Sequence, residues 1–392
     1  MADNGLIELL QKLVAIPSVN PALADDPAIG TEAPLAEFLS SFLNTRGFRV
    51  EWHEITKGRP NVVGRFGPTN PKRSLLIESH LDTQGIHGMI VPPFVGEVRD
   101  GRLYGRGACD TKGPMAAALW ALAPNLLERL ATAGVELVYV GAVGEEKGNF
   151  GAEQLVALGI GADEALILEP TELAIVHAHK GTLWYEVEAL GRAAHGSNPQ
   201  HGVNAIRGMA RVIEAIEDEI RGATETHTDK FLGRPTVNIG VIRGGSSINI
   251  VPDRCVVEVD RRTVPGEDNA AILNNIRSAL ARLTADEMLT GWNLSSIKEG
   301  VPFSTPVETR LVQRLSRACK ESGASGRTEG AGWYSDAGPF AKTCKEVAVF
   351  GPGSILQAHT VDEYIELSSL QQGSEILRQF LLDLADEVKG AT

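Results

Sequence analysis

Apolar residues fall along this chain in two successive rhythms. The opening segment, MADNGLIELLQKLVAIPSVNP, interrupts its apolar positions with Glu8, Gln11 and Lys12, the pattern of an amphipathic helix. Three apolar runs bounded by Gly, Asn, Pro and Asp then read as strands: NVVGRF from Asn61, SLLIES from Ser74 and VELVYVGAV from Val135. The last two are continuous enough to be buried strands. A helical stretch over residues 114–130 lies between them, and EALILEP from Glu164 reads as a further strand. Strands alternating with helices predict an α/β fold, with helices layered on a mixed, mostly parallel sheet. In such sheets chemistry gathers at the carboxyl ends of strands.

The second rhythm begins near Lys180. TLWYEVEALG alternates as a half-buried strand, NAIRGMARVIEAIEDEI has helical spacing, and TVNIGVIRG and RCVVEVDRRTV are strands. AAILNNIRSALARLTA is a helix and WNLSSIKEG a closing strand, so the order is βαββαβ, that of a ferredoxin-like split unit. The expected organisation is an outer domain over residues 1–180 and 300–392, with a ferredoxin-like domain inserted over 181–299. The chain from Val301 returns to helix and strand and ends in an amphipathic helix, SSLQQGSEILRQFLLDLADEV.

Composition narrows the partners. Across 392 residues, 43% hydrophobic and 22% charged residues are ordinary for a globular protein. Basic and acidic counts of 37 and 50 give 37 − 50 = −13, a poor match for nucleic acid or an anionic membrane, so small-molecule chemistry is expected. Cys109, Cys255, Cys319 and Cys344 are far apart, with neither a disulfide framework nor a thiolate zinc spacing, which reads as a reducing compartment. The first residues lack a basic n-region. The most apolar stretch, MAAALWALAPNLL from Met115, is shorter than the ~20 residues of a membrane span and carries Pro124. The expectation is a cytoplasmic protein.

Candidate chemistry clusters after the strands. His80 and Asp82 follow SLLIES two apart, so both side chains point to one side, with Asp82 placed to receive the second ring N–H of a metal-bound histidine. Asp110 lies in the glycine-flanked loop GRGACDTKG, where a lone Asp also serves as a cap or turn residue. Glu145 and Glu146 end a buried strand, where uncompensated charge is costly, and Glu169 ends ALILE before Pro170. His359 follows a GPG turn in AHTVDEYIE. Two histidines and three carboxylates suit two zinc ions with one carboxylate bridging.

SHLDT, GRGACDTKG, GEEKG, LEPTE, INIVPDRCVVEVDRRT and AHTVDEY together resemble the zinc-dependent aminoacylase and carboxypeptidase family that contains acetylornithine deacetylase and succinyl-diaminopimelate desuccinylase. The likeness covers almost the whole chain, in the family's motif order. It implies that the outer domain is catalytic and the insert a dimerisation or lid domain. It implies that Asp110 bridges two Zn2+ ions, with Co2+ or Mn2+ as possible substitutes, His80 and Glu169 on one and Glu146 and His359 on the other. Asp82 then orients His80, and Glu145 is the general base that takes a proton from water and returns it to the leaving amine. His195, in GRAAHGSNP, is implied to reach the partner subunit's site of a homodimer and stabilise the oxyanion.

Arg262 and Asn249 look like the groups that hold a substrate carboxylate, an Arg fork being suited to two parallel hydrogen bonds, with an Arg262 salt bridge across the sheet as the structural alternative. Gly351 and Gly353 let backbone approach substrate, or simply make a turn. The resemblance also implies a cis peptide after Asp110. The implied reaction is amide cleavage of an N-acyl amino acid, Glu169 in place of Asp pointing to the deacetylase and desuccinylase branch. The alternative is a metallocarboxypeptidase or dipeptidase that takes a short peptide. A non-catalytic relative should have lost a ligand or the base, and none is missing. His177 and His179 are read as hinge or supporting residues, and His53, His87, His201 and His227 as surface or packing residues. Ser335 and Asp336 are placed by position alone as substrate contacts.

Overall fold

Strand pairing separates the two rhythms physically. A computed structural model, described here over residues 4–390, divides into one unit up to His177 that also takes in Thr305–Glu329 and the chain from Ser335, and a second unit of Ala178–Ser304 and Gly330–Tyr334. The short segment Gly330–Tyr334 lies outside the insert as its periodicity marks it.

In the first unit the sheet runs in the order Arg49–Thr56, Arg59–Phe66, Val135–Ala142, Arg73–His80, Glu164–Ile167, Glu346–Val349 and the start of Ile175–His179. The four central strands are parallel and the flanking pairs antiparallel, the mixed, mostly parallel core that the sequence predicts. Their register sets His80 opposite Ala142, Glu78 opposite Ile167, and Ile167 opposite Val349. All four carboxyl ends therefore open on one edge.

Helices Asn4–Val14, Ala33–Thr45, Lys112–Ala121, Pro124–Ala133 and Leu367–Gly390 bury Leu, Ala and Phe against this sheet in one continuous core. The single helix expected over 114–130 is in fact two. Ala123 turns extended, at φ −67° and ψ 143°, because the residue before a proline is pushed out of helical conformation, and Pro124 starts the second helix where its missing N–H is not needed.

The second unit is a four-stranded antiparallel sheet in the order Thr236–Gly244, Arg254–Thr263, Gly181–Leu190, Gly291–Gly300, packed against helices Ala205–Thr226 and Asn269–Ala285. Alternate residues Leu183, Tyr185, Val187 and Ala189 are buried, and Met209, Val212 and Ile216 meet them from the first helix. Both helices start on side-chain caps, Asn204 accepting from Arg207 N–H and Asp268 from Ala270 N–H, each at 3.0 Å. No described helix is long and apolar enough to cross a membrane, and the four cysteines are free and buried.

Candidate active site

Each parallel strand delivers its polar residues to the open edge. His80 ends its strand, Glu145 and Glu146 follow Val135–Ala142, Glu169 follows Glu164–Ile167, and the chain beyond Glu346–Val349 leads to His359. Asp110 arrives from the loop before Lys112–Ala121, through a cis Asp110–Thr111 bond. Thr111 Oγ1 donates to Leu168 O at 2.8 Å and so ties that loop to the strand of Glu169.

Asp110 stands between the two histidines. Its Oδ1 is 3.1 Å from His80 Nε2 and its Oδ2 is 3.2 Å from His359 Nε2. Each histidine meets one further carboxylate: His80 Nε2 lies 4.0 Å from Glu169 Oε1, and His359 Nε2 lies 3.0 Å from Glu146 Oε2. Two triads result, His80 with Asp110 and Glu169, and His359 with Asp110 and Glu146, their donor atoms within 4.8 Å of one another. Glu145 belongs to neither triad; its Oε1 accepts from Asn149 Nδ2 at 3.2 Å.

Two buried carboxylates hold these loops. Asp82 accepts from the N–H groups of Gly144, Glu145 and Glu146 at 3.0 Å and from Asn20 Nδ2 at 2.8 Å, which fixes the turn carrying both glutamates. Asp82 also meets His80, at closest range through its main chain. His80 Nδ1 hydrogen-bonds the Asp82 main-chain oxygen at 2.9 Å, while the Asp82 carboxylate, already filled by four donors, stands 3.7 Å from the ring. Glu363 does for Asp110 what Asp82 does for the glutamates. It accepts from Cys109 and Asp110 N–H at 2.9 and 3.0 Å, from Gly107 N–H at 3.2 Å and from Arg106 Nη1 at 2.7 Å. Sequence reasoning missed Glu363, an acid inside AHTVDEY directly before strand Tyr364–Glu366.

Crowding decides the electrostatics. Burial, helped by the charge of Asp110, pushes Glu169 well above the usual carboxylate range and Glu146 up to about 7. For Asp110 burial acts upward too, but hydrogen bonds with His359 and His80 hold it below an ordinary aspartate. Hydrogen bonds to Asp110 and Glu146 push His359 up to about 10. Burial opposes the same shift in His80, yet Asp110 and Asp82 carry its imidazole well above its ordinary value. Carboxylates packed this closely need protons or a cation to balance them. Imidazole nitrogen with carboxylate oxygen is a donor set that divalent ions accept, and Glu146 Oε1 is buried without a hydrogen-bond partner, an acceptor still to be satisfied. The residues present fit divalent metal.

The remaining expected site residues stand outside both triads. His195, Asn249 and Arg262 belong to the second unit. His195 is exposed and its Nδ1 accepts from Ser197 N–H at 3.2 Å, which leaves the ring proton on Nε2. Asn249 lies beside it, its main-chain oxygen taking Gly196 N–H at 2.7 Å. Arg262 pairs with Asp260 two residues back on its own strand, Nε to Oδ1 at 2.9 Å, and not across the sheet. Gly353 is built into a tight turn: its N–H donates to Ser369 Oγ, its oxygen accepts from Glu172 N–H, and a Cβ there would meet Cys109 Sγ at 2.7 Å.

Ser335 and Asp336 are likewise buried, at 1% and 0% exposure, and Asp336 accepts from Asn149 Nδ2 at 2.8 Å, so its carboxylate serves the interior. His177 and His179 are buried on Ile175–His179 with Nδ1 on the main-chain oxygens of Thr305 and Lys180, and they enter neither triad. His53, His87, His201 and His227 are exposed or half-buried and also stand outside both triads.

Known proteins resemble this chain in sequence and in fold. A model of the peptidase dimerisation domain matches residues 177–288, and one of peptidase family M28 matches residues 61–200. The chain is 29% identical over 375 residues to an acetylornithine deacetylase of Myxococcus xanthus, covering 92% of this chain and 96% of that protein. It is 28% identical over 399 residues to the acetylornithine deacetylase of Proteus mirabilis, covering 98% of each. An M20 family metallo-carboxypeptidase, Sso-CP2 from Sulfolobus solfataricus, shares the fold with a TM-score of 0.78 at 21% identity, covering 98% of this chain and 100% of that one. Aminopeptidase PepT from Bacillus cereus shares it with the same TM-score of 0.78 at 21% identity, covering 97% and 98%. The chain thus resembles acetylornithine deacetylases over nearly its whole length and carries a match to the peptidase dimerisation domain, and it is a metal-dependent hydrolase of amide or peptide bonds.

Proposed function

We propose that the protein is a binuclear zinc amidohydrolase that removes the acyl group from an N-acyl amino acid. The observation that carries this reading is Asp110, one oxygen toward each of two histidines that each face a separate glutamate. One ion would be held by His80, Glu169 and Asp110, the other by His359, Glu146 and Asp110, with cobalt or manganese as workable substitutes. When bound, such ions acidify a water and polarise the amide carbonyl. Glu145, outside both ligand sets, takes a proton from the attacking water and passes it to the leaving amine. Asp82 and Glu363 keep the loops of Glu145, Glu146 and Asp110 in place through main-chain hydrogen bonds.

In the inserted unit, His195 offers an Nε2–H suited to an oxyanion, and Arg262 with Asn249 suits a substrate carboxylate once Arg262 exchanges Asp260 for it. The match to a dimerisation domain supports a homodimer in which the partner supplies His195. Buried, free cysteines accord with a reducing cytoplasm. Near full-length similarity to two acetylornithine deacetylases favours deacylation over peptide cleavage. Hydrolysis of acetylornithine, succinyl-diaminopimelate, other N-acyl amino acids and dipeptides by the zinc-loaded enzyme tests it. The highest kcat/KM is expected on an N-acyl amino acid. A preference for dipeptides would assign a peptidase on the same site.

A further inference from the structure

Asn149 breaks a local rule. It precedes helix Phe150–Ala157 in the position where an Asn side chain ordinarily caps the helix, yet it makes no such bond. Its backbone is left-handed, at φ 58° and ψ 21°, and its N–H is fixed on Gly144 O at 2.7 Å. This turns the amide away from the helix and toward Glu145. Asn149 is fully buried, and its Oδ1 has no hydrogen-bond partner. Its Nδ2 instead reaches two carboxylates, Asp336 Oδ1 at 2.8 Å and Glu145 Oε1 at 3.2 Å. Only the NH2 end of an amide suits two acceptors, and its two hydrogens serve one each. A cap forgone and an oxygen left unpaired mark a side chain placed for another task.

We infer that Asn149 and Asp336 are positioning residues for the base: Asp336 fixes the Asn149 amide, and the amide holds the Glu145 carboxylate in one orientation. This rests on the reading of Glu145 as general base. A base must sit within hydrogen-bond reach of the proton it takes, so a carboxylate free to swing loses rate and not substrate affinity.

Asn149→Gly tests the inference with little risk to the fold, because glycine adopts this φ without strain. Turnover is expected to fall about 10- to 100-fold, with KM within about twofold of the parent. Metal analysis should find both ions retained. In a Glu145→Gln background the same change should move kcat by less than about twofold, since the residue then has no base to position. Asp336→Ala should reproduce the loss, and Asp336→Asn, which keeps an oxygen for the amide, should recover most of it. An equal fall in both backgrounds, or loss of metal from Asn149→Gly, overturns the positioning role. Near-normal turnover of Glu145→Gln would instead overturn the base reading itself, so the two failures are distinct.

Discussion

The two units hold their reactive groups in opposite ways. In the first, His80, Asp110 and Glu169 are buried, with His359 the exposed member of the cluster, and the loops around them are tied down by Asp82 and Glu363, each of which accepts four hydrogen bonds from distant parts of the chain. In the inserted unit, His195 and Asn249 are exposed and take side-chain partners only two residues away, Ser197 and Ser247. A cluster of like charges survives burial only if its surroundings fix it from many directions. A group meant to meet something outside its own chain needs the reverse: exposure, with just enough local bonding to set a tautomer.

The sharpest way to break this comparison is to remove one group from each side. Glu145→Gln should keep both metals and lower kcat by about 10²- to 10⁴-fold. His195→Ala should cost about 10²- to 10³-fold in kcat and leave metal content and melting temperature unchanged, because the side chain is exposed. If His195 serves the partner's site, mixing the two inactive variants should restore up to about half the sites in mixed dimers. Subunits that exchange and recover nothing would place His195 in its own chain's site or in none.

The supports should show in binding before they show in rate. Asp82→Ala strands three main-chain N–H groups and is expected to weaken metal binding about 10- to 100-fold, read by chelator competition. A smaller effect is expected from pH. In the metal-free protein, Glu146 rises from 4.5 to about 7 and His359 from 6.5 to about 10, so the folded state binds more protons than the unfolded one between these values. Its stability should therefore fall as pH rises from about 5 to 8, as followed by thermal melts. The metal-loaded protein should lack that slope, since the ions replace the protons.

Legibility follows from what burial writes into sequence. Strands such as Val135–Ala142 and the alternation of Leu183, Tyr185 and Val187 announce themselves because apolar periodicity is itself the record of burial. His80, Glu145, Glu146 and Glu169 stand out because polar groups closing apolar strands are costly without a purpose, whereas Asp110 and His359 stand out through the family resemblance of their motifs. Buried polar residues in loops leave no such trace. Nothing local says that Glu363 bonds Asp110 from 253 residues away, or that Asp336 faces inward to Asn149. The break at Pro124 was written in the chain, but a continuous apolar stripe on both sides masked it.

The central claim is that one carboxylate is shared by two metal sites, and metal stoichiometry of three variants tests it most directly. Loaded with zinc and measured by mass spectrometry, Glu169→Gln and Glu146→Gln should each lose ions from one site and keep the other. Asp110→Ala should lose both, since its two oxygens face His80 and His359 separately. An Asp110→Ala protein that is folded and still holds one ion per chain, like the other two variants, would contradict the shared site.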